Sequence, residues 1–98
     1  MLGKIIGALM VGRGERKELG RDRAFIDMML QAQGRSWNDL SEDQRWALFG
    51  RDSDRLRPLR KKVFQSFHDQ ANGAISPIEH MRVFADAEAT IKEIISNA

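Results

Sequence analysis

From Leu59 to Phe84 the apolar residues recur at helical spacing on both sides of one short polar turn. Leu59, Val63, Phe64 and Phe67 precede Asn72-Gly73, and Met81, Val83 and Phe84 follow it. Between them stands Ser76-Pro77-Ile78-Glu79, a strong helix start. Ser76 offers a hydroxyl to a free backbone N–H, Pro77 sits where its missing N–H does no harm, and Glu79 completes the first turn. A chain with this hairpin and no sustained two-residue alternation is expected to be all-α. The expected fold is a small single domain of four to five helices, two helix–loop–helix units packed as a pair.

With 98 residues there is material for one domain and one core. The chain has no cysteine, which removes disulfides and thiolate zinc sites and suits a reducing, cytoplasmic setting. Met1–Val11 is apolar apart from Lys4, but far shorter than the ~20 residues of a membrane span. Arg13, Arg16 and Lys17 follow the apolar run instead of preceding it, contrary to the design of an export signal.

If Leu2–Met10 is helical, Leu2, Ile5, Ile6 and Leu9 share one face. Gly3 and Gly7 each cost about 1 kcal/mol against alanine, so such a helix needs a surface to lie on. The surface is the domain itself, a partner protein, or a membrane touched peripherally through residues 2–11. Gly12–Gly20 reads as a flexible charged connector. The expected organisation is therefore an N-terminal segment, 1–20, and a helical domain, 21–98, with units at about 22–50 and 54–96.

In Asp22–Ala32 the apolar residues Phe25, Ile26, Met28, Met29 and Leu30 cover a broad arc, implying burial on more than one side. Ser41-Glu42-Asp43-Gln44 has the form of a reciprocal capping box and opens a short helix with Trp46, Leu48 and Phe49. Pro58 is expected in the first turn of the next helix, whose stripe is Leu56, Leu59, Val63, Phe64, Phe67 and Ala71. The last helix buries Val83, Phe84, Ala87, Ile91, Ile94 and Ile95.

Shifting residues 25–50 by 35 positions lays Ser41 on Ser76, Phe49 on Phe84, Leu40 on Ile75 and Asn38 on Gly73. The match is one of chemical type, with a turn residue, a buried apolar residue and a cap in the same order. In this respect the chain resembles a tandem EF-hand pair. Phe67-His68-x-Gln70-x-Asn72-Gly73-x-Ile75-Ser76-x-x-Glu79 follows that family's loop, and the resemblance implies a short pairing of Leu40 with Ile75. The ligand positions depart from the family. His68, Gln70 and Asn72 stand where carboxylates belong, leaving Glu79 alone, and the first loop offers Gln33, Arg35, Trp37 and Gln44. A hard cation needs several carboxylates, so no metal site is assigned, and a weak metal-sensing hand remains only an alternative.

Ala71-Asn72-Gly73-Ala74-Ile75-Ser76-Pro77-Ile78-Glu79 is also similar to the signature of TerB-like tellurite-resistance domains, with Asn72 in place of its Asp. Gly3-Lys4-Ile5-Ile6-Gly7 resembles the opening of membrane-anchored co-chaperones that carry such a domain. This second resemblance covers the two ends of the chain and implies an all-helical domain.

No nucleophile–base signature, phosphate loop or HExxH helix is present, and neither a catalytic residue nor a cofactor is assigned. His68 and His80 flank the second loop, with Asp69 and Glu79 as the nearby carboxylates. His80 falls within the apolar stripe, the setting of a hydrogen-bonded structural histidine. Charge is uneven along the chain. Residues 1–62 carry 14 Lys/Arg against 9 Asp/Glu, and residues 63–98 carry 2 against 5. Arg51, Arg55, Arg57, Arg60, Lys61 and Lys62 form the densest basic run, with Asp52 and Asp54 interleaved.

The expected function is non-enzymatic protein–protein binding, as an adaptor, regulator or inhibitor. Leu2, Ile5, Ile6 and Leu9 would anchor the partner, Arg51, Arg55, Arg57, Lys61 and Lys62 would steer an acidic one, and Trp37 would serve as a hot spot. Nucleic-acid binding through Arg51–Lys62 is the alternative. Oligomeric state stays open.

Overall fold

The apolar arc around Met28 belongs to a helix longer than its hydrophobic pattern, α1 (Arg13–Ala32). The structure is a computed structural model that describes residues 13–98. Over these residues the chain is all-α, with four α-helices and no strand. The others are α2 (Glu42–Trp46), α3 (Ser53–Ala71) and α4 (Pro77–Asn97). Leu2, Ile5, Ile6 and Leu9, and the membrane contact read through residues 2–11, lie outside the described residues. Among the described residues no helix is long and apolar enough to cross a membrane.

Residues 13–20, expected as a flexible connector, are instead the opening turns of α1. Gly14 and Gly20 meet nothing within 4 Å, so neither is required by packing. The helix is carried through them by charge. Glu18 and Asp22 on α1 pair with Arg57 and Arg60 on α3. Tertiary contact outweighs the helix-weakening glycines, as is usual for helices in folded domains.

Both long helices that enter loops end in the same way. Gly34 and Gly73 have φ of 71° and 75°, the left-handed conformation that glycine adopts without steric cost. The N–H of Gly34 donates to the carbonyl of Gln31, and that of Arg35 to Leu30. Likewise Gly73 donates to Gln70, and Ala74 to Asp69. These are paired Schellman caps, which satisfy carbonyls left over at a helix end. Asn38, expected to match Gly73, is not left-handed. It lies in a short 3₁₀ turn, Trp37–Asp39.

Helix starts are set by local serine chemistry. The Ser41 N–H donates to Gln44 Oε1 at 2.9 Å and Gln44 N–H donates to Ser41 Oγ at 3.2 Å. The Glu79 N–H donates to Ser76 Oγ at 3.1 Å. After α2 the chain widens into a π turn, Ala47–Arg51, with a kink at Phe49, and passes directly into α3. Pro58 therefore falls inside α3, not in its first turn. It forgoes one hydrogen bond on an exposed face, while Arg55 ties the same end of α3 to Glu93 of α4 at 3.2 Å.

The core gathers Phe25, Ile26, Met29 and Leu30 of α1, Leu40, Ala47 and Leu48 of the connecting region, Leu56 and Val63 of α3, and Ala87, Ile91, Ile94 and Ile95 of α4. α3 and α4 form the most extensive contact, and α1 packs against both. Fully burying each large aliphatic or aromatic side chain contributes about 1.5–3 kcal/mol, which offsets the entropy of ordering so short a chain.

Candidate functional site

The α1–α3 seam is where the charged residues of this chain converge. Arg60 is buried, with only 3% of its side chain exposed, and it meets Glu18 and Asp22 together. Its Nη2 donates to Glu18 Oε2, and its Nε lies 3.2 Å from Asp22 Oδ1 without the alignment of a hydrogen bond. Asp22 Oδ2 accepts from Arg57 Nε at 2.9 Å. That hydrogen bond, and then the Asp22 charge, raise the Arg57 pKa above the ordinary arginine value. Arginine is fully charged throughout the neutral range in any case, so the raised value leaves its state there unchanged.

Outward of the seam lies an open groove of about 450 Å³, lined by Glu18 and Arg21 of α1 and by Arg60, Lys61, Phe64 and Gln65 of α3. A second groove of about 250 Å³ runs between α3 and the start of α4, lined by Lys62, Gln65, Ser66, Ile75 and Val83 together with two carboxylates, Asp69 and Glu79, so its charge is acidic where that of the first is basic. Gln65 borders both grooves, with Lys61 in one and Lys62 in the other. The result is an exposed ridge on α3, two lysines wide, with a partly apolar trough on each side.

Of the five basic residues expected to steer a partner, three are engaged within the molecule. Arg51 pairs with Asp52 at 3.0 Å, Arg55 with Glu93, and Arg57 with Asp22. Lys61 and Lys62 are exposed and have no carboxylate partner among the described residues. Trp37 is held within the fold. The Arg23 guanidinium sits 4.1 Å from its ring centroid, Arg45 lies on it at 5.9 Å, and Phe49 meets its edge at 6.3 Å. Arg45 Nε also donates to the Trp37 carbonyl at 3.1 Å.

The exposed apolar side chains are others. Trp46, Ile78 and Met81 are 66%, 64% and 66% exposed, and Phe67 is 42% exposed. Trp46 reads as part of an apolar stripe with Leu48 and Phe49, but the π turn after it shifts the helical phase and leaves its ring outside. Ile78 lies on α4 opposite the buried His80 and Ala87, a position that helical periodicity places away from the core.

At this end of the hairpin His80 is buried, and its Nδ1 lies 2.7 Å from Ser66 Oγ. Its ring packs against Phe67, with centroids 4.3 Å apart, while Phe84 stands edge-on to Phe67. His68 instead faces Asn72, 3.0 Å from its Nε2. Among the described residues no three His, Asp or Glu gather in a way that would hold a metal ion. Leu40 belongs to the core, whereas Ile75 is half-buried along the second groove, and no backbone hydrogen bond joins their loops. No protein-family model, curated protein or solved structure matches this chain.

Proposed function

We propose that this chain is a protein-binding module that works by occupying a partner's surface and performs no chemistry of its own. One observation carries the reading. Lys61 and Lys62 crown a ridge between two grooves, free of ion-pair partners among the described residues, while Arg51, Arg55 and Arg57 nearby are each paired with a carboxylate. Unpaired cations beside partly apolar troughs favour association with a partner of opposite charge and add speed and selectivity to it. Phe67, Ile78 and Met81 are further exposed apolar side chains, none of them lining either groove.

The Ser66–His80 pair has the separation of a nucleophile and its base, yet it fits a structural role better. Ser66 lies in the interior of α3, where neighbouring backbone N–H groups are taken up by the helix and none is free to stabilise an oxyanion. A chain without cysteine also suits the cytoplasm, and we place it there as part of the same proposal.

The test uses the full chain as bait, beside a Lys61→Glu/Lys62→Glu variant and an Arg82→Glu control on an exposed part of α4. The module reading expects a defined set of retained proteins that is lost with the double variant and kept with the control. Equal retention by all three baits would refute it. Tight binding of random duplex DNA with a steep salt slope would assign the ridge to nucleic acid instead.

A further inference from the structure

We infer that the groove between α1 and α3 receives an acidic peptide segment of the partner, with one large apolar side chain on Phe64 and flanking carboxylates on Arg21 and Lys61. The inference rests on the protein-binding reading and specifies the chemistry that the partner brings.

The charge of the groove is the starting point. Its lining holds one carboxylate, Glu18, against three cations, Arg21, Arg60 and Lys61. Glu18 is shared. Its Oε2 serves the buried Arg60, and its Oε1 lies 3.9 Å from Arg21, too far for a hydrogen bond. Asp22, the other acid of the seam, is taken up by Arg57 and Arg60. Arg21 of α1 and Lys61 of α3 thus both line the trough without a short contact to any carboxylate among the described residues. Carboxylates supplied from outside complete this arrangement, and Arg21 can take one in two parallel hydrogen bonds.

Phe64 decides between classes of polyanion. Its ring is partly buried, braced edge-on by Phe25 at 6.3 Å, and gives the groove an apolar floor alongside the two cations. A floor fixed in this way suits an aliphatic or aromatic side chain of a peptide. A nucleic-acid backbone needs a longer track of free cations, and Arg55 and Arg57, which would extend the track along α3, are already paired. The groove is also an open trough between two helices, a shape that accepts a chain passing through it.

The experiment is selection of a random-peptide display library on the full chain, followed by fluorescence anisotropy of the recovered peptides. The expected peptides carry several Asp or Glu around one large apolar residue. Lys61→Glu and Arg21→Glu should each weaken binding by roughly tenfold, while Arg82→Glu leaves it unchanged. Replacing the apolar residue of the peptide with serine should abolish binding at the same charge. Recovered peptides without acidic bias, or binding indifferent to both groove variants, would overturn the inference. So would displacement by random duplex DNA as effective as by the parent peptide. If the inference fails while the ridge variant still loses its captured proteins, the module reading survives. If capture is also indifferent to the ridge, both fall together.

Discussion

The indole of Trp46 lies directly over Gly50, so close that a β-carbon at position 50 would stand 2.3 Å from two ring atoms. The contact spans the start of the π turn and holds an otherwise exposed ring against the backbone. Gly50→Ala is expected to swing the Trp46 ring outward and cost no more than about 1 kcal/mol, because the ring has solvent to move into and alanine restricts the unfolded chain. The indole N–H resonance of Trp46 should shift in a heteronuclear NMR spectrum while that of Trp37 stays in place. An unmoved Trp46 signal would contradict this geometry.

Arg60→Ala would leave Asp22 buried beside one remaining guanidinium and Glu18 without its closest partner. Removing one member of a buried ion pair typically costs about 3–5 kcal/mol. Chemical denaturation should report a loss in that range, and Arg60→Ala/Asp22→Ala should lose less than the two single changes added together. Strict additivity would mean that the residues do not interact.

Gly73→Ala would force a β-carbon into a left-handed backbone and should destabilise the hairpin by about 1–2 kcal/mol. Gly73→Asn should cost less, since asparagine tolerates that conformation. Ser76→Ala, which removes the acceptor for the Glu79 N–H, should cost about 1 kcal/mol. Thermal melts of the three variants give the comparison, and equal effects for alanine and asparagine at position 73 would count against the cap.

Trp37→Ala is expected to reduce stability by about 2–3 kcal/mol, less than for a fully buried tryptophan, because the ring is wedged between Arg23, Arg45 and Phe49. Trp46→Ala should cost under about 1 kcal/mol, as befits a ring two-thirds exposed. Reversal of that order in urea denaturation would mean that the two tryptophans have exchanged roles.

Much of the fold is legible in the sequence because it is written in short-range chemistry. The starts at Ser41 and Ser76 depend on residues three positions away, and the apolar stripe of α4 is read correctly from period alone. The repeat is harder to read. Alignment through the serine caps sets Asn38 against Gly73, whereas the helix ends themselves equate Gly34 with Gly73. Ser41 stands seven positions after Gly34, and Ser76 only three after Gly73. The four extra residues make room for the three-residue 3₁₀ turn, Trp37–Asp39, an insertion invisible to a fixed shift.

The candidate site is less legible. Which cations of the Arg51–Lys62 run stay free is decided by partners far away in the chain, Asp22 for Arg57 and Glu93 for Arg55. The same distant pairing turned residues 13–20 from a presumed connector into helix. The exposure of the two tryptophans is not legible locally for a related reason. Trp37 is covered by arginines from two other elements, and Trp46 is turned out by a change of helical pitch, and neither cause leaves a mark in local periodicity.

The opposed settings of the two indoles equip this molecule with a pair of natural optical probes. A neutral collisional quencher such as acrylamide should dim Trp46, two-thirds exposed, before Trp37, whose ring is covered by Arg23, Arg45 and Phe49. Emission that survives quenching then follows the integrity of the interior, while the quenched fraction follows events at the outer face, so one unlabelled sample can distinguish local rearrangement from unfolding.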